Sequence, residues 1–147
     1  MRRRLDRIYP DYAPEALFSL VDDIESYPAF APFCQSARVL TRAENWRRVE
    51  NVFGFGRWRF AFISEARAAP PRELVIESFD RPFRVFRLRW LFEPQDKGCR
   101  MTCDWRMEFS SPALNIAMAL AADEAQNRAL AAFERRAALA LGKRETT

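Results

Sequence analysis

The spacing of apolar residues changes along this chain, and each change marks a different kind of element. In residues 83–93, Phe86, Leu88, Trp90 and Phe92 share one side while Val85, Arg87, Arg89 and Leu91 take the other. In 99–109, Met101, Cys103, Trp105, Met107 and Phe109 alternate with Arg100, Thr102, Asp104, Arg106 and Glu108. A period of two places successive side chains on opposite faces of a half-buried strand. Similar runs at 36–43, 46–53, 57–68 and 73–79 predict four more strands. Turns fall at Gly54-Phe55-Gly56, at Pro70-Pro71 and at 94–98. No helical segment separates these strands, so neighbours are expected to pair antiparallel. Residues 2–9 alternate loosely and add a first strand, with Leu5 and either Arg7 or Tyr9 on one side.

A hairpin must match apolar face to apolar face, because a slip of one residue inverts a strand. For the last two strands this predicts Phe92 opposite Met101, Trp90 opposite Cys103 and Leu88 opposite Trp105. On the wet face the same register sets Arg89 against Asp104 and Glu93 against Arg100, each pair worth only a few tenths of a kcal/mol.

From Ser111 to Gly142 the spacing becomes three and four. Ser111 is a good N-cap, Pro112 suits the first helical position, and Gly142 suits the residue past a helix end. The thirty or so residues between them predict a helix of roughly 45 Å. Its inner stripe runs through Leu114, Met118, Ala121, Ala125, Ala129, Phe133, Ala137 and Ala140. Asp123, Glu124, Asn127, Arg128, Glu134 and Arg135 face away. So many alanines fit either close packing or a void between helix and sheet where a ligand lies.

A shorter helix is expected at 14–24, with Ala16, Leu17, Leu20, Val21 and Ile24 on one face. Residues 26–34 are aromatic and proline-rich, too broken for a regular helix, and should wedge Tyr27, Phe30 and Phe33 inward. The predicted architecture is α+β. A curved antiparallel sheet of six or seven strands carries the long helix across its apolar face, and a short helical insertion follows the first strand. One domain, 1–147, accounts for the length.

Composition removes several function classes. The chain has no histidine, so Ser–His, Cys–His and His–metal mechanisms are excluded. Gly54-Phe55-Gly56 lacks the remaining glycine and the helix of a phosphate-binding loop. No metal site and no covalent cofactor is expected. Three cysteines without a CxxC pair favour a reducing compartment. No run is apolar enough to span a membrane. The net charge of +4 comes from arginines interleaved with acids; Arg2-Arg3-Arg4 is the one basic cluster, a weak candidate for lipid or RNA phosphate.

Three stretches carry a resemblance: 17–34 with its Tyr27-Pro28-Ala29-Phe30-Ala31-Pro32-Phe33-Cys34, 83–92 with Trp90, and Ala132-Phe133-Glu134-Arg135-Arg136-Ala137 before Gly142. Together, and in this order, they resemble the coenzyme Q-binding START-like family of the polyketide cyclase/dehydrase superfamily. Phe33 stands where members often have Trp, and Leu141 where they often have Tyr; both stay apolar.

The resemblance implies a helix-grip (START/Bet v 1-like) fold that holds ubiquinone or a related polyprenyl lipid without catalysing a reaction, in support of respiration. Its toxin branch implies an alternative, a ribosome-associated module that blocks subunit association. A cyclase-like enzyme ranks third, since no inward acid or base is evident. The expected location is cytoplasmic, with peripheral contact at the inner membrane.

An isoprenoid needs an apolar sleeve. The wedge offers Tyr27, Phe30 and Phe33 as lining. The strands offer Trp58, Phe60, Phe62, Leu74, Ile76 and Phe86, then Leu88, Trp90, Phe92, Met101, Trp105 and Met107. The long helix offers Met118 and Phe133. Candidate polar contacts are Tyr27, Asn51, Ser64, Ser78 and Arg136, and Cys34 and Cys103 are expected as buried, unreactive thiols.

Overall fold

In the computed structural model residues 1–142 are described; the last residues of the expected domain, 143–147, lie outside the described residues. Seven strands form: β1 (Arg2–Tyr9), β2 (Cys34–Ala43), β3 (Trp46–Phe55), β4 (Trp58–Ala69), β5 (Glu73–Ser78), β6 (Phe83–Gln95) and β7 (Gly98–Phe109). Two helices accompany them, α1 (Pro14–Asp22) and α2 (Pro112–Leu141), with a 3-10 segment at Ile24–Ala29. The strands make one antiparallel sheet in the order β1-β7-β6-β5-β4-β3-β2. Each strand pairs with its sequence neighbour except at β1–β7, where α1 and the 3-10 segment intervene between β1 and β2.

The β6–β7 register is the expected one: Phe92 faces Met101, Trp90 faces Cys103 and Leu88 faces Trp105. Arg89 lies beside Asp104 and Glu93 beside Arg100, yet their ion pairs go elsewhere. Arg89 bonds Glu73 of β5, and Arg100 bonds Asp6 of β1 at 2.7 Å. Long guanidinium arms reach the strand on the other side as readily as the residue directly opposite. The expected ion pairs were therefore wrong although their register was right.

Strand β3 continues through Gly54 and Phe55, so the turn is Gly56-Arg57 and not the whole Gly-Phe-Gly run. Gly56 takes a left-handed φ of 56°, which a two-residue hairpin needs. The first helix also stops two residues early, at Asp22, and the chain tightens into the 3-10 segment.

Helix α2 has the predicted limits. Ser111 Oγ accepts a hydrogen bond from Leu114 N at 3.2 Å. Asn115 exchanges two bonds with the Phe109 backbone, tying the helix start to the end of β7. Polar contacts then fix the helix on its β1 side, through an Arg3–Asp123 ion pair and a Tyr9 hydroxyl that donates to Glu134 at 2.8 Å. Arg136 adds a bond to Asp23 beyond α1. Its buried stripe is Leu114, Met118, Ala122, Phe133 and Ala137. Ala121, Ala125 and Ala129 are only half-buried and Ala140 is exposed, so that part of the expected stripe is rotated off the core.

Candidate functional site

The 3-10 segment is anchored before it reaches the core. Arg47 of β3 donates to both the backbone oxygen and the carboxylate of Asp22 at the end of α1. Phe30 N and Ala31 N both bond the Tyr27 carbonyl, which coils the segment tightly enough to turn its rings inward. Tyr27 and Phe30 pack 5.1 Å apart, and Phe30 meets Phe133 of α2 edge to face at 5.4 Å. Phe133 in turn faces Trp90 of β6 at 6.3 Å. The wedge, the helix and the sheet thus meet through four aromatic rings.

Behind these rings lies an inner cavity of about 100 Å³. The wedge gives it Tyr27, Phe30 and Phe33, and the sheet gives Ile76, Phe86, Leu88 and Trp90 from β5 and β6. Strand β7 adds Met101, Trp105 and Met107, and α2 adds Phe133. These eleven expected residues come together. Outside them runs a wider groove of about 630 Å³ between residues 28–33 and the Ala121, Ala125, Ala129 and Ala132 row of α2. Cavity and groove share Phe30, Ala31, Pro32, Phe33 and Ala129, so the two spaces adjoin. Phe33 holds a left-handed φ of 65° there, a strained conformation for an aromatic residue, and packs edge to face on Phe55.

Six expected lining residues are not at the cavity. Phe60 and Phe62 belong to a packed cluster with Phe53, Phe83, Phe86 and Phe109, with centroid separations down to 4.8 Å. The cluster borders the cavity through Phe53 and Phe86, while Phe60 and Phe62 pack behind them. Leu74, Phe92 and Met118 are fully buried in solid core, Phe92 against Phe18 of α1. Trp58 sits at the β3–β4 hairpin tip, 39% exposed and stacked on Phe55. Alternation gave the five strand residues a face but not a place under α2, and Met118 sits on α2 itself, one turn or more from the cavity.

The polar candidates divide likewise. Tyr27 and Asn51 line the cavity. Asn51 Nδ2 donates to Ser64 Oγ at 2.9 Å, so Ser64 is a structural partner. Ser78 donates to the Ile63 carbonyl and accepts from Asp80 N where β5 leaves β4. Arg136 is held by Asp23. Sequence reading missed Gln126 and Leu130, which α2 turns toward the cavity, and Leu5, Ile24 and Phe53; it turned Ala129 and Cys103 inward without naming them as lining. Gln126 and Leu130 fall on the row that includes Met118, Ala122 and Phe133, so the i, i+4 spacing was a usable signal.

Electrostatically the inner cavity is neutral: its lining holds no Arg, Lys, Asp or Glu. Burial pushes the Tyr27 hydroxyl well above the ordinary phenol range and raises the Cys103 thiol, so both stay protonated. The Cys34 thiol is pushed up to about 11 by the same cause. Three residues that line this space each hold a buried polar atom with no hydrogen-bond partner: Tyr27 Oη, Trp90 Nε1 and Gln126 Oε1.

Residues 10–134 match the family model described as polyketide cyclase / dehydrase and lipid transport. The chain belongs to that family. Within this polyketide cyclase/dehydrase and lipid transport family, the ribosome association toxin RatA of Pseudomonas aeruginosa is 28% identical over 127 residues, covering 86% of this chain and 88% of that protein. The mitochondrial coenzyme Q-binding protein COQ10 of Drosophila melanogaster is 25% identical, over 85% of this chain and 55% of its own length. Among solved structures, the 18 kDa protein CC1736 of Caulobacter crescentus superposes with a TM-score of 0.78 at 26% identity, covering 97% of this chain and 99% of that one. The helix-grip architecture is thus that of the family, whose description joins enzymes and lipid carriers.

Proposed function

We propose that this protein is a non-enzymatic binder of ubiquinone or a related polyprenyl lipid, which it carries or shields near the respiratory membrane. The observation that carries this reading is the apolar inner cavity adjoining an open groove, whose alanine row is flanked by Glu124, Arg128 and Arg135. Ligand pockets usually measure about 300–1,000 Å³. The inner cavity alone, about 100 Å³, is too small for a quinone with its tail, while the groove offers the remaining space. The ring enters the cavity and the isoprenoid tail lies along the Ala121–Ala125–Ala129–Ala132 row. Helix α2 is fixed by polar contacts on its β1 side, so loading requires movement mainly at the wedge. The Drosophila relative, named as coenzyme Q-binding, supports the choice of ligand. Among the described residues no helix is long and apolar enough to cross a membrane, so contact at the surface suffices in this scheme.

A cyclase needs an acid or base beside its substrate. The cavity lining offers no carboxylate, and its hydroxyl and thiol groups are held protonated. Binding therefore fits these groups better than catalysis does.

Replacing Ala129 with Phe tests the reading, since this residue stands where cavity and groove adjoin. A short-tailed ubiquinone should bind the A129F variant at least about tenfold more weakly, a loss near 1.4 kcal/mol. Unchanged binding with an intact fold would remove the groove from the account.

A second reading, ribosome binding, rests on the Pseudomonas relative and its 88% coverage. The charge pattern gives it little support. Arg3 of the basic cluster pairs with Asp123 and Arg4 with Asp104, while Arg38, Arg87 and Arg100 are also paired with acids. Co-sedimentation with large ribosomal subunits that survives moderate salt would favour this second function.

A further inference from the structure

The inner cavity is almost wholly apolar, yet three of the residues that line it hold a buried polar atom without a partner. Tyr27 is 6% and Trp90 7% exposed, so neither reaches bulk water. A buried polar atom left unpaired costs about 1–3 kcal/mol, and native structures rarely keep one without a reason. Two such atoms, one on the wedge and one on β6 but near each other, leave a place for a ligand atom as their partner.

We propose that Tyr27 and Trp90 form a two-donor clamp for a neutral carbonyl oxygen on the lipid head, with Gln126 as a third polar contact further along the cavity. This inference rests on the lipid-binding reading and specifies which head is accepted. An indole N–H only donates, and a phenol O–H donates when its own oxygen is free. The Trp90 N–H is close enough to influence the Tyr27 hydroxyl, although the two make no hydrogen bond of good geometry. The Tyr27 hydroxyl remains protonated at any physiological pH, so the donor is always available.

Gln126 lies seven residues before Phe133 on α2, about 10 Å along the axis. Phe133 faces Trp90, so the amide stands away from the donor pair and toward the helix start. Its unpaired atom is Oε1, an acceptor, which suits a hydroxyl on the far side of the head and not a second carbonyl oxygen. The cavity disfavours a carboxylate or phosphate head, because the lining has no cation to offset the loss of hydration of an anion. The specificity follows from two neutral donors in a space without charge.

The test compares three probes on the purified full chain: a ubiquinone with a two-isoprene tail, an isoprenoid hydrocarbon of equal length without a head, and decanoate. The wild-type protein should bind the quinone at least about tenfold more tightly than either other probe. Y27F, which removes one oxygen, should weaken quinone binding by about 3- to 10-fold and leave the hydrocarbon unchanged. In the wild-type protein the Trp90 indole N–H resonance should move on adding quinone and stay put with the hydrocarbon, a reading that needs no variant. Equal binding of quinone and hydrocarbon, or a still Trp90 resonance with quinone bound, would overturn the clamp while sparing the apolar cavity. Decanoate as the tightest ligand would overturn the neutral-head specificity. Binding of none of the probes would overturn the lipid-binding reading and the clamp with it.

Discussion

Phe133 of α2 meets Phe30 of the wedge edge to face, their centroids 5.4 Å apart, joining the long helix to the segment that borders both cavity and groove. Both rings line the inner cavity. Loss of the contact in F133A should destabilise the protein by about 3 kcal/mol, at the low end for a buried Phe because the ring already borders a void. The same change should widen the cavity. Urea unfolding will show the lower midpoint, and a bulkier quinone analogue should then bind at least as well as to the wild type. A stable variant with unchanged ligand preference would mean that the ring does not limit the space for a ligand.

Strand closure at the other end depends on Gly98. A Cβ there would lie 2.1 Å from the Tyr9 carbonyl oxygen and 2.6 Å from Pro10 Cα, both backbone atoms that cannot swing aside. G98A should therefore force β1 away from β7 and cost about 2–3 kcal/mol. The denaturation midpoint should fall with an unchanged slope, which marks a loss of native stability. Weakening of this seam should also loosen the Arg3–Asp123 and Tyr9–Glu134 contacts that hold α2 to β1.

The thiols predict a pH dependence. Burial pushes Cys34 and Cys99 up to about 11 and Cys103 further, against about 8.5 for an unfolded thiol. A folded value above the unfolded one means that the folded chain holds its protons longer. The stability linked to these groups is thus complete below about pH 8.5 and is lost as pH rises through about 11. Alkylation of the native protein at pH 8 should be far slower than in urea. A variant with all three replaced by Ala should show a shallower fall in urea midpoint between pH 9 and 11. Rapid native labelling at pH 8 would contradict the burial of these thiols.

Much of the architecture is legible in the residues. Alternation assigns faces, and matching apolar faces fixes the β6–β7 register to the residue, from Leu88–Trp105 to Glu93–Arg100. Ser111, Pro112 and Gly142 bound α2 correctly because capping chemistry is local. What a strand pattern lacks is position along the sheet. Phe60 and Phe86 both point inward, yet Phe86 reaches the cavity while Phe60 packs among other phenylalanines. That difference is set by where α2 crosses, which no single strand encodes. The ion pairs failed for a related reason: Arg89 selects Glu73 from a neighbouring strand over Asp104 beside it. The row through Ala122 and Gln126 was open to view in the sequence, but the more numerous alanines at 121, 125 and 129 drew the stripe aside.

The most direct measurement is mass spectrometry of solvent extracts from the protein purified out of a ubiquinone-producing host. A filled cavity and groove predict ubiquinone or another polyprenyl lipid near one per chain, and much less from A129F with its fold intact. Protein that yields no isoprenoid lipid, while its thermal unfolding shows a native fold, would contradict the lipid-binding account.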